Sequence, residues 1–110
     1  MVFDFNKLES RKYENFKGGE KYVDAVMYAD DNNRIMQGVL PKGGSIGLHT
    51  HQGTSEVIYV LKGELKAYYD GKEELLTEGM CHYCEEGHQH TLINESDEEA
   101  QYFAVIPNHK

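Results

Sequence analysis

Three histidines and one glutamate stand at spacings that would let them bind a single metal ion. His49 and His51 are two residues apart in a run typical of a β-strand, so their side chains project from the same face. Glu56 opens the next run after a short turn, and His90 begins a later one. Closure of a barrel would bring His90 across to the other three residues.

The donor types indicate which metals such a cluster would hold. Two or more imidazoles with one carboxylate suit Mn, Fe, Co, Ni, Cu or Zn and disfavour Ca and Mg. Structural zinc closes its shell with four ligands, often cysteines. Four protein ligands on an octahedral ion would instead leave two positions for water, dioxygen or a chelating substrate. A lone histidine on a strand is more often an ordinary polar residue, so the prediction of one divalent transition metal depends on the four residues together.

The elements that must position these residues are short strands. Nine apolar or alternating runs are separated by glycine-rich turns, and no stretch from Gly18 onward has a sustained helical period. Asp70-Gly71, between two alternating runs, predicts a two-residue hairpin. The chain is therefore predicted to be all-β, a sandwich or a barrel. The runs cover 22–29, 34–40, 45–51, 56–61, 64–69, 73–76, 80–84, 90–93 and 101–106.

Size and charge restrict the function. The chain has 110 residues, enough for one domain, and a formal net charge of -8. Nucleic acids and anionic membranes bind through lysine and arginine, so the acidic balance argues against both partners. The start has no basic region followed by an apolar one, no run is long enough to span a membrane, and the chain has two cysteines. We expect a cytoplasmic protein.

The metal-ligand candidates belong to two longer sequence patterns that resemble the cupin superfamily. The first cupin motif, G(X)5HXH(X)3,4E(X)6G, is matched by Gly43, His49, His51, Glu56 and Gly63. The second, G(X)5PXG(X)2H(X)3N, is matched by Gly79, Gly87, His90 and Asn94, with Glu85 at the position that is usually proline. Together the two motifs cover about half of the chain.

The resemblance implies a small single-domain cupin: a double-stranded β-helix, or jelly-roll barrel, over 21–110. It implies a metal held by His49, His51, Glu56 and His90, and a likeness to small members that are commonly homodimers. Residues 1–20 would form an N-terminal arm or a short helix. Glu85 in place of proline would relax the turn before Gly87 and leaves the ligand set intact.

Strand alternation predicts which other residues line the metal pocket. Counted from the four ligand candidates, the inward-facing neighbours are small or apolar, which predicts an apolar cavity around a polar metal centre. His88, two residues before His90, is the one candidate for a catalytic group, although the turn at Gly87 makes its register uncertain. The residues predicted to line the pocket are Ser45, Gly47, Ile58, Val60 and Leu92.

The remaining cysteines and histidines are interpreted as structural. Cys81 and Cys84 form a C-x-x-C, but residues three apart on a strand point to opposite faces, so packing is favoured over redox or zinc chemistry. His82 and His109 have no partner pattern and are predicted to be surface residues.

Two functions share these residues. The first is a metalloenzyme acting on a small polar metabolite, as a dioxygenase, an isomerase or epimerase, or a decarboxylase. The second is a non-catalytic protein that binds a carboxylate or sugar on its metal. A general base beside the open metal positions would favour the enzyme, and an apolar wall would favour binding. A barrel without metal is the third and weakest alternative, because all four ligand residues are present.

Overall fold

The chain is built of ten strands and one helical turn. The computed structural model describes residues 1–110, and none of its helices is long and apolar enough to cross a membrane. All nine predicted runs are strands, with ends that differ by at most one residue. The elements are β1 (Arg11–Glu14), a 3-10 turn (Phe16–Gly18), β2 (Tyr22–Ala29), β3 (Asn33–Leu40), β4 (Ser45–Thr50), β5 (Glu56–Lys62), β6 (Glu64–Tyr69), β7 (Lys72–Thr77), β8 (Cys81–Cys84), β9 (Gln89–Ile93) and β10 (Ala100–Pro107).

The strands form two antiparallel sheets. One has six strands in the order β1-β2-β3-β10-β5-β8, and the other has four in the order β4-β9-β6-β7. Buried and accessible residues alternate along the central strands, as expected when one face of each sheet is covered. The covered faces enclose thirteen buried hydrophobic residues. The prediction of an all-β jelly-roll barrel is confirmed.

The β6–β7 hairpin turns at Asp70 and Gly71, as predicted. Both residues have positive φ, 49° and 81° respectively. Two successive positive φ values define the turn whose twist matches that of antiparallel strands, and Asp-Gly is a favoured pair for it. This hairpin fixes the register of β6 against β7 from Glu64↔Thr77 to Tyr69↔Lys72.

The N-terminal segment contacts both sheets. It contributes β1, which pairs with β2, and a 3-10 turn that contacts β4. Its backbone lies directly on β4, because a Cβ at Gly47 would be 2.0 Å from the carbonyl oxygen of Lys17. The side-chain Oγ of Ser45 accepts a hydrogen bond from the amide of Glu20 at 2.8 Å. This segment therefore covers one side of β4, the strand that carries His49.

Candidate metal centre

The four metal-ligand candidates come from both sheets and from the connection between them. His49 on β4 lies opposite His90 on β9 in the four-stranded sheet. Glu56 is the first residue of β5 in the six-stranded sheet. His51 lies in the segment that passes from β4 to β5, and its amide donates to the carbonyl oxygen of His88 at 3.0 Å. The side chains meet between the sheets.

The spacing of the donor atoms fits a single metal ion. One ligand atom from each of His49, His51, Glu56 and His90 lies within 4.8 Å of all the others. The Nε2 atom of His90 is 3.0 Å from that of His51, 3.2 Å from that of His49 and 3.1 Å from Glu56 Oε1. Donors bound about 2.1 Å from one ion are about 3.0 Å apart at right angles and about 3.4 Å apart at tetrahedral angles. The observed separations are of the size that donors of a single ion require.

Each histidine is oriented by a contact at its other ring nitrogen. Nδ1 of His49 is 2.8 Å from the carbonyl oxygen of Gly47, and Nδ1 of His51 is 2.9 Å from Thr54 Oγ1. Nδ1 of His90 is 2.9 Å from Nε2 of His82. Such contacts fix the ring and leave Nε2 toward the metal, which is the usual arrangement of histidine ligands. The residues present therefore fit a divalent transition metal, which would supply Lewis-acid chemistry and positions for a ligand.

Burial and charge keep the donors in the protonation states that a metal needs. Burial alone raises the pKa of Glu56, but the neighbouring histidines, chiefly through the hydrogen bond from His51, outweigh burial and lower that pKa to about 2. Burial lowers the pKa of His49, which favours the neutral imidazole. At neutral pH the cluster therefore contains a carboxylate and a neutral imidazole at these two positions.

A cavity of about 780 Å³ opens onto the donor cluster. Its lining includes His49, His51 and Glu56, and the N-terminal segment contributes Tyr13, Phe16 and Lys17 to the wall. Apolar side chains from β2, β3, β4 and β10 form much of the remainder: Val23, Met27, Met36, Ile46 and Ile106. The wall therefore combines apolar side chains with polar and charged ones.

The five residues predicted to line the pocket lie elsewhere. Ser45 and Gly47 hold the N-terminal segment, as described above. A β-bulge in β4 accounts for the position of Ser45 and Gly47. Ile46 pairs with Leu92 and His49 pairs with His90, so the two pairs are three residues apart on β4 but only two apart on β9. The extra residue reverses the alternation, so Ile46 faces inward in place of the residues beside it. The other three predicted residues face inward but belong to the hydrophobic core rather than to the cavity lining: Ile58, Val60 and Leu92.

His88, the candidate catalytic residue, does not line the cavity. Its Nδ1 pairs with the carboxylate of Asp70, and its ring stacks on Tyr69 with a centroid distance of 5.5 Å. The side chain is 42% exposed. It is held by the β6–β7 hairpin on the outside of the barrel, so its two-residue spacing from His90 does not bring it to the site.

The prediction that His82 is a surface residue is wrong. It is 2% exposed, and it connects Glu74 to His90 through hydrogen bonds. Alternation on β8 is the sequence signal that would have revealed it, because His82 shares the inward face with buried Cys84. His109 is exposed, with its Nε2 2.8 Å from Ser55 Oγ.

The turn before His90 is closed without the usual proline. The amide of His88 donates to the carbonyl oxygen of Glu85 at 3.1 Å, and the amide of Gly87 donates to the carbonyl oxygen of His51 at 2.7 Å. The amide of Glu85, which proline would lack, lies 3.4 Å from the hydroxyl of Tyr69. With glutamate in place of proline, the turn is still hydrogen-bonded to the segment that carries His51.

The two cysteines are free thiols on opposite faces of β8. Cys81 is exposed and Cys84 is buried, as the alternation predicts. Burial raises the pKa of Cys84 to about 12, which favours the thiol. Neither cysteine belongs to the donor cluster.

Comparison with known proteins identifies the family. The cupin domain family model matches residues 36–106, so this chain belongs to the cupin family. An oxalate-binding protein of Thermotoga maritima is 27% identical over 112 residues, covering 96% of this chain and 93% of that protein.

Solved structures agree with this assignment. The crystal structure of a predicted oxalate decarboxylase from Thermotoga maritima has a TM-score of 0.91 and 25% identity, covering 98% of this chain and 99% of that chain. A cupin-superfamily sugar phosphate isomerase from Silicibacter pomeroyi has a TM-score of 0.80 and 19% identity, covering 98% and 76%, which supports the fold alone.

Proposed function

We propose that this protein binds a small carboxylate of the oxalate class through a divalent transition metal held by His49, His51, Glu56 and His90. The observation that carries the proposal is the four donor atoms close enough to share one ion, with a cavity that opens onto them. An octahedral ion with four protein donors has two remaining positions, which suits a chelating dicarboxylate. The similarity to an oxalate-binding protein over nearly the whole chain supports this ligand class.

Tyr102 supports the binding of an anion beside the metal. Its side chain is 1% exposed and lines the same cavity as Glu56. Burial and the nearby Glu56 charge raise the pKa of Tyr102, so the phenol keeps its proton. A neutral phenol in this position would donate a hydrogen bond to a carboxylate oxygen of the ligand.

Basic side chains also favour an anionic ligand. Lys17, Arg34 and Lys110 contribute to the cavity lining, although the chain as a whole is acidic. Long-range repulsion from a net negative protein would slow the approach of an anion, but charges at the cavity act at shorter range. These three residues would partly offset that repulsion at the entrance.

The residues that line the cavity around the donor atoms favour binding over catalysis. Apart from the donors themselves, the acidic residues of the lining are Asp30 and Asp31, both exposed, and no further histidine lines the cavity. A general base would have to reach the ligand within hydrogen-bond distance. Because Tyr102 holds its proton, it would serve as a donor rather than a base. The metalloenzyme is the second candidate, favoured by the two remaining metal positions.

Calorimetry with oxalate would test the proposal. Metal-loaded protein is expected to bind oxalate, and protein stripped with a chelator is expected not to bind it. The Tyr102→Phe variant should bind metal normally and bind oxalate more weakly, since one hydrogen bond to a charged ligand contributes about 1.5–3 kcal/mol. Oxalate binding that survives metal removal would contradict the proposal. Release of carbon dioxide or formate from oxalate would favour the enzyme instead.

We also propose that the protein is a homodimer, as predicted from the family resemblance. The outward face of β5, β8 and β10 presents an apolar surface of half-buried and exposed side chains: Val57, Tyr59, Leu61, Tyr83, Phe103 and Val105. Surfaces of this kind are typical of protein interfaces.

Light scattering after size-exclusion chromatography would test the dimer. Tyr59→Glu should shift a dimer toward the monomer, because it puts a charge on the apolar surface. Leu75→Glu, at an exposed position of the other sheet, is the matched control and should not. A monomeric wild type would contradict the proposal.

A further inference from the structure

A buried chain of hydrogen bonds leads from Glu74 through His82 to His90. Glu74 Oε1 is 2.7 Å from Nδ1 of His82, and Nε2 of His82 is 2.9 Å from Nδ1 of His90. The two histidines are 2% and 1% exposed, whereas the Glu74 side chain is 40% exposed. Their ring planes differ by 17° and their centroids are 5.2 Å apart, so the imidazoles meet edge to edge.

The chain also joins the two sheets. Glu74 lies on β7 and His90 on β9, both in the four-stranded sheet, while His82 lies on β8 at the edge of the six-stranded sheet. The ring of Tyr69 packs edge-on against His82, with a centroid distance of 5.6 Å. His82 is therefore held from both sheets, which limits the orientations that it can offer to His90.

The direction of each hydrogen bond follows from Glu74. A carboxylate only accepts hydrogen bonds, so Nδ1 of His82 carries the hydrogen. Neutral imidazole has one such hydrogen, which leaves Nε2 of His82 as the acceptor for the Nδ1 hydrogen of His90. His90 then directs the free lone pair of its Nε2 atom toward the other three metal-ligand candidates. This is the tautomer that a metal ligand requires.

We propose that Glu74 and His82 are positioning residues that strengthen metal binding by holding His90 in this tautomer and orientation. The inference rests on the metal site of the proposed function. The other two ligand histidines are oriented by groups close in sequence, the Gly47 carbonyl and the Thr54 hydroxyl. His90 alone depends on side chains from two other strands. Loss of such outer partners typically weakens metal binding 10- to 100-fold.

Metal titration of stripped protein is the first test. His82→Phe keeps a ring but removes both nitrogens, and Glu74→Ala removes the acceptor; each is expected to weaken Mn²⁺ or Zn²⁺ binding about 10- to 100-fold. Glu74→Gln keeps a carbonyl acceptor and should retain more affinity than Glu74→Ala. Glu73→Ala is the matched control, because it removes the same charge one residue away, where the side chain pairs with Lys66. Its affinity should equal that of the wild type.

Nitrogen NMR of the metal-free protein gives an independent readout. We expect the wild type to show His90 with hydrogen on Nδ1, and His82→Phe to lose that preference. A wild type with hydrogen on Nε2 of His90 would overturn the inference. If His82→Phe does not fold, Glu74→Ala decides the question, since Glu74 is partly exposed.

The titration also separates the two proposals. A wild type that binds stoichiometric metal, with equal affinity in His82→Phe and Glu74→Ala, would overturn the positioning role and leave the metal site standing. An equal loss in Glu73→Ala would likewise overturn it, because the effect would then be one of net charge. A wild type that binds no stoichiometric metal would overturn the proposed function itself.

Discussion

Replacing Gly38 by alanine should displace Tyr102, a buried aromatic residue that lines the cavity at the donor cluster. Gly38 on β3 lies opposite Tyr102 on β10, and the tyrosine ring folds over the glycine. A Cβ at Gly38 would be 2.3 Å from Cζ of Tyr102 and 2.5 Å from its hydroxyl oxygen. Both distances are far below van der Waals contact. Tyr102 is 1% exposed and belongs to the hydrophobic core, so moving its ring disturbs the packing of its neighbours.

The cost can be estimated from the behaviour of overpacked cores. Insertion of one methyl group into a well-packed core destabilises a protein by about 1–3 kcal/mol. For a chain of this size, each kcal/mol lowers Tm by about 4 °C. We therefore expect Gly38→Ala to lower the Tm of the metal-free protein by about 4–12 °C. Oxalate binding should weaken as well, because the phenol moves away from its place in the cavity.

A double-mutant cycle would identify Tyr102 as the cause. Tyr102→Leu removes the ring atoms that the new methyl group would meet, so Gly38→Ala should cost much less in that background. Thermal unfolding of the four proteins, followed by circular dichroism without metal, measures the coupling free energy. An equal cost of Gly38→Ala in both backgrounds would refute the reasoning, since strand propensity rather than the overlap would then explain the loss.

Three further predictions concern the metal and the thiols. His51→Ala or Glu56→Ala should abolish stoichiometric metal, measured by elemental analysis, without unfolding the barrel. Metal should be released as pH falls below roughly 6, because ligand histidines must be neutral. Burial lowers the pKa of His49, so protons displace the metal only below the ordinary titration range of histidine. Alkylation of the native protein at pH 8 should modify exposed Cys81 well before Cys84, whose pKa burial raises to about 12.

Each of these predictions has a control or an outcome that would count against it. His109→Ala, at an exposed histidine outside the donor cluster, should leave metal content unchanged. Full metal occupancy at pH 4 would contradict the requirement for neutral histidines. A native disulfide between Cys81 and Cys84, or equal alkylation rates, would contradict the packing role of the buried thiol.

Much of the fold could be predicted from local rules that relate sequence to structure. Residues of one strand alternate between faces, and turns need particular residues, so the strands and the Asp70-Gly71 hairpin could be predicted without knowing their partners. The donor cluster was predictable for the same reason. His49 and His51 lie close in sequence to Glu56, and the two motifs supplied His90.

The lining of the cavity could not be predicted in this way. Alternation counted from His49 fails when a bulge intervenes, and the bulge in β4 is visible only from the register of β4 against β9. The same limit applies to Gly47, whose lack of a side chain looked like space above a metal. The missing side chain instead lets the backbone of the N-terminal segment lie directly on β4.

The sequence by itself determined the all-β class, the strand positions and the four residues that can hold a metal, because each depends on residue types at spacings that a strand, a turn or a family motif defines. The tertiary structure decided which side chains surround that metal. Glu74, His82 and Tyr102 lie on strands β7, β8 and β10, and no spacing within one strand relates them to the four donor residues. Their roles depend on the pairing of distant strands and on closure of the barrel, which bring together residues far apart in the chain.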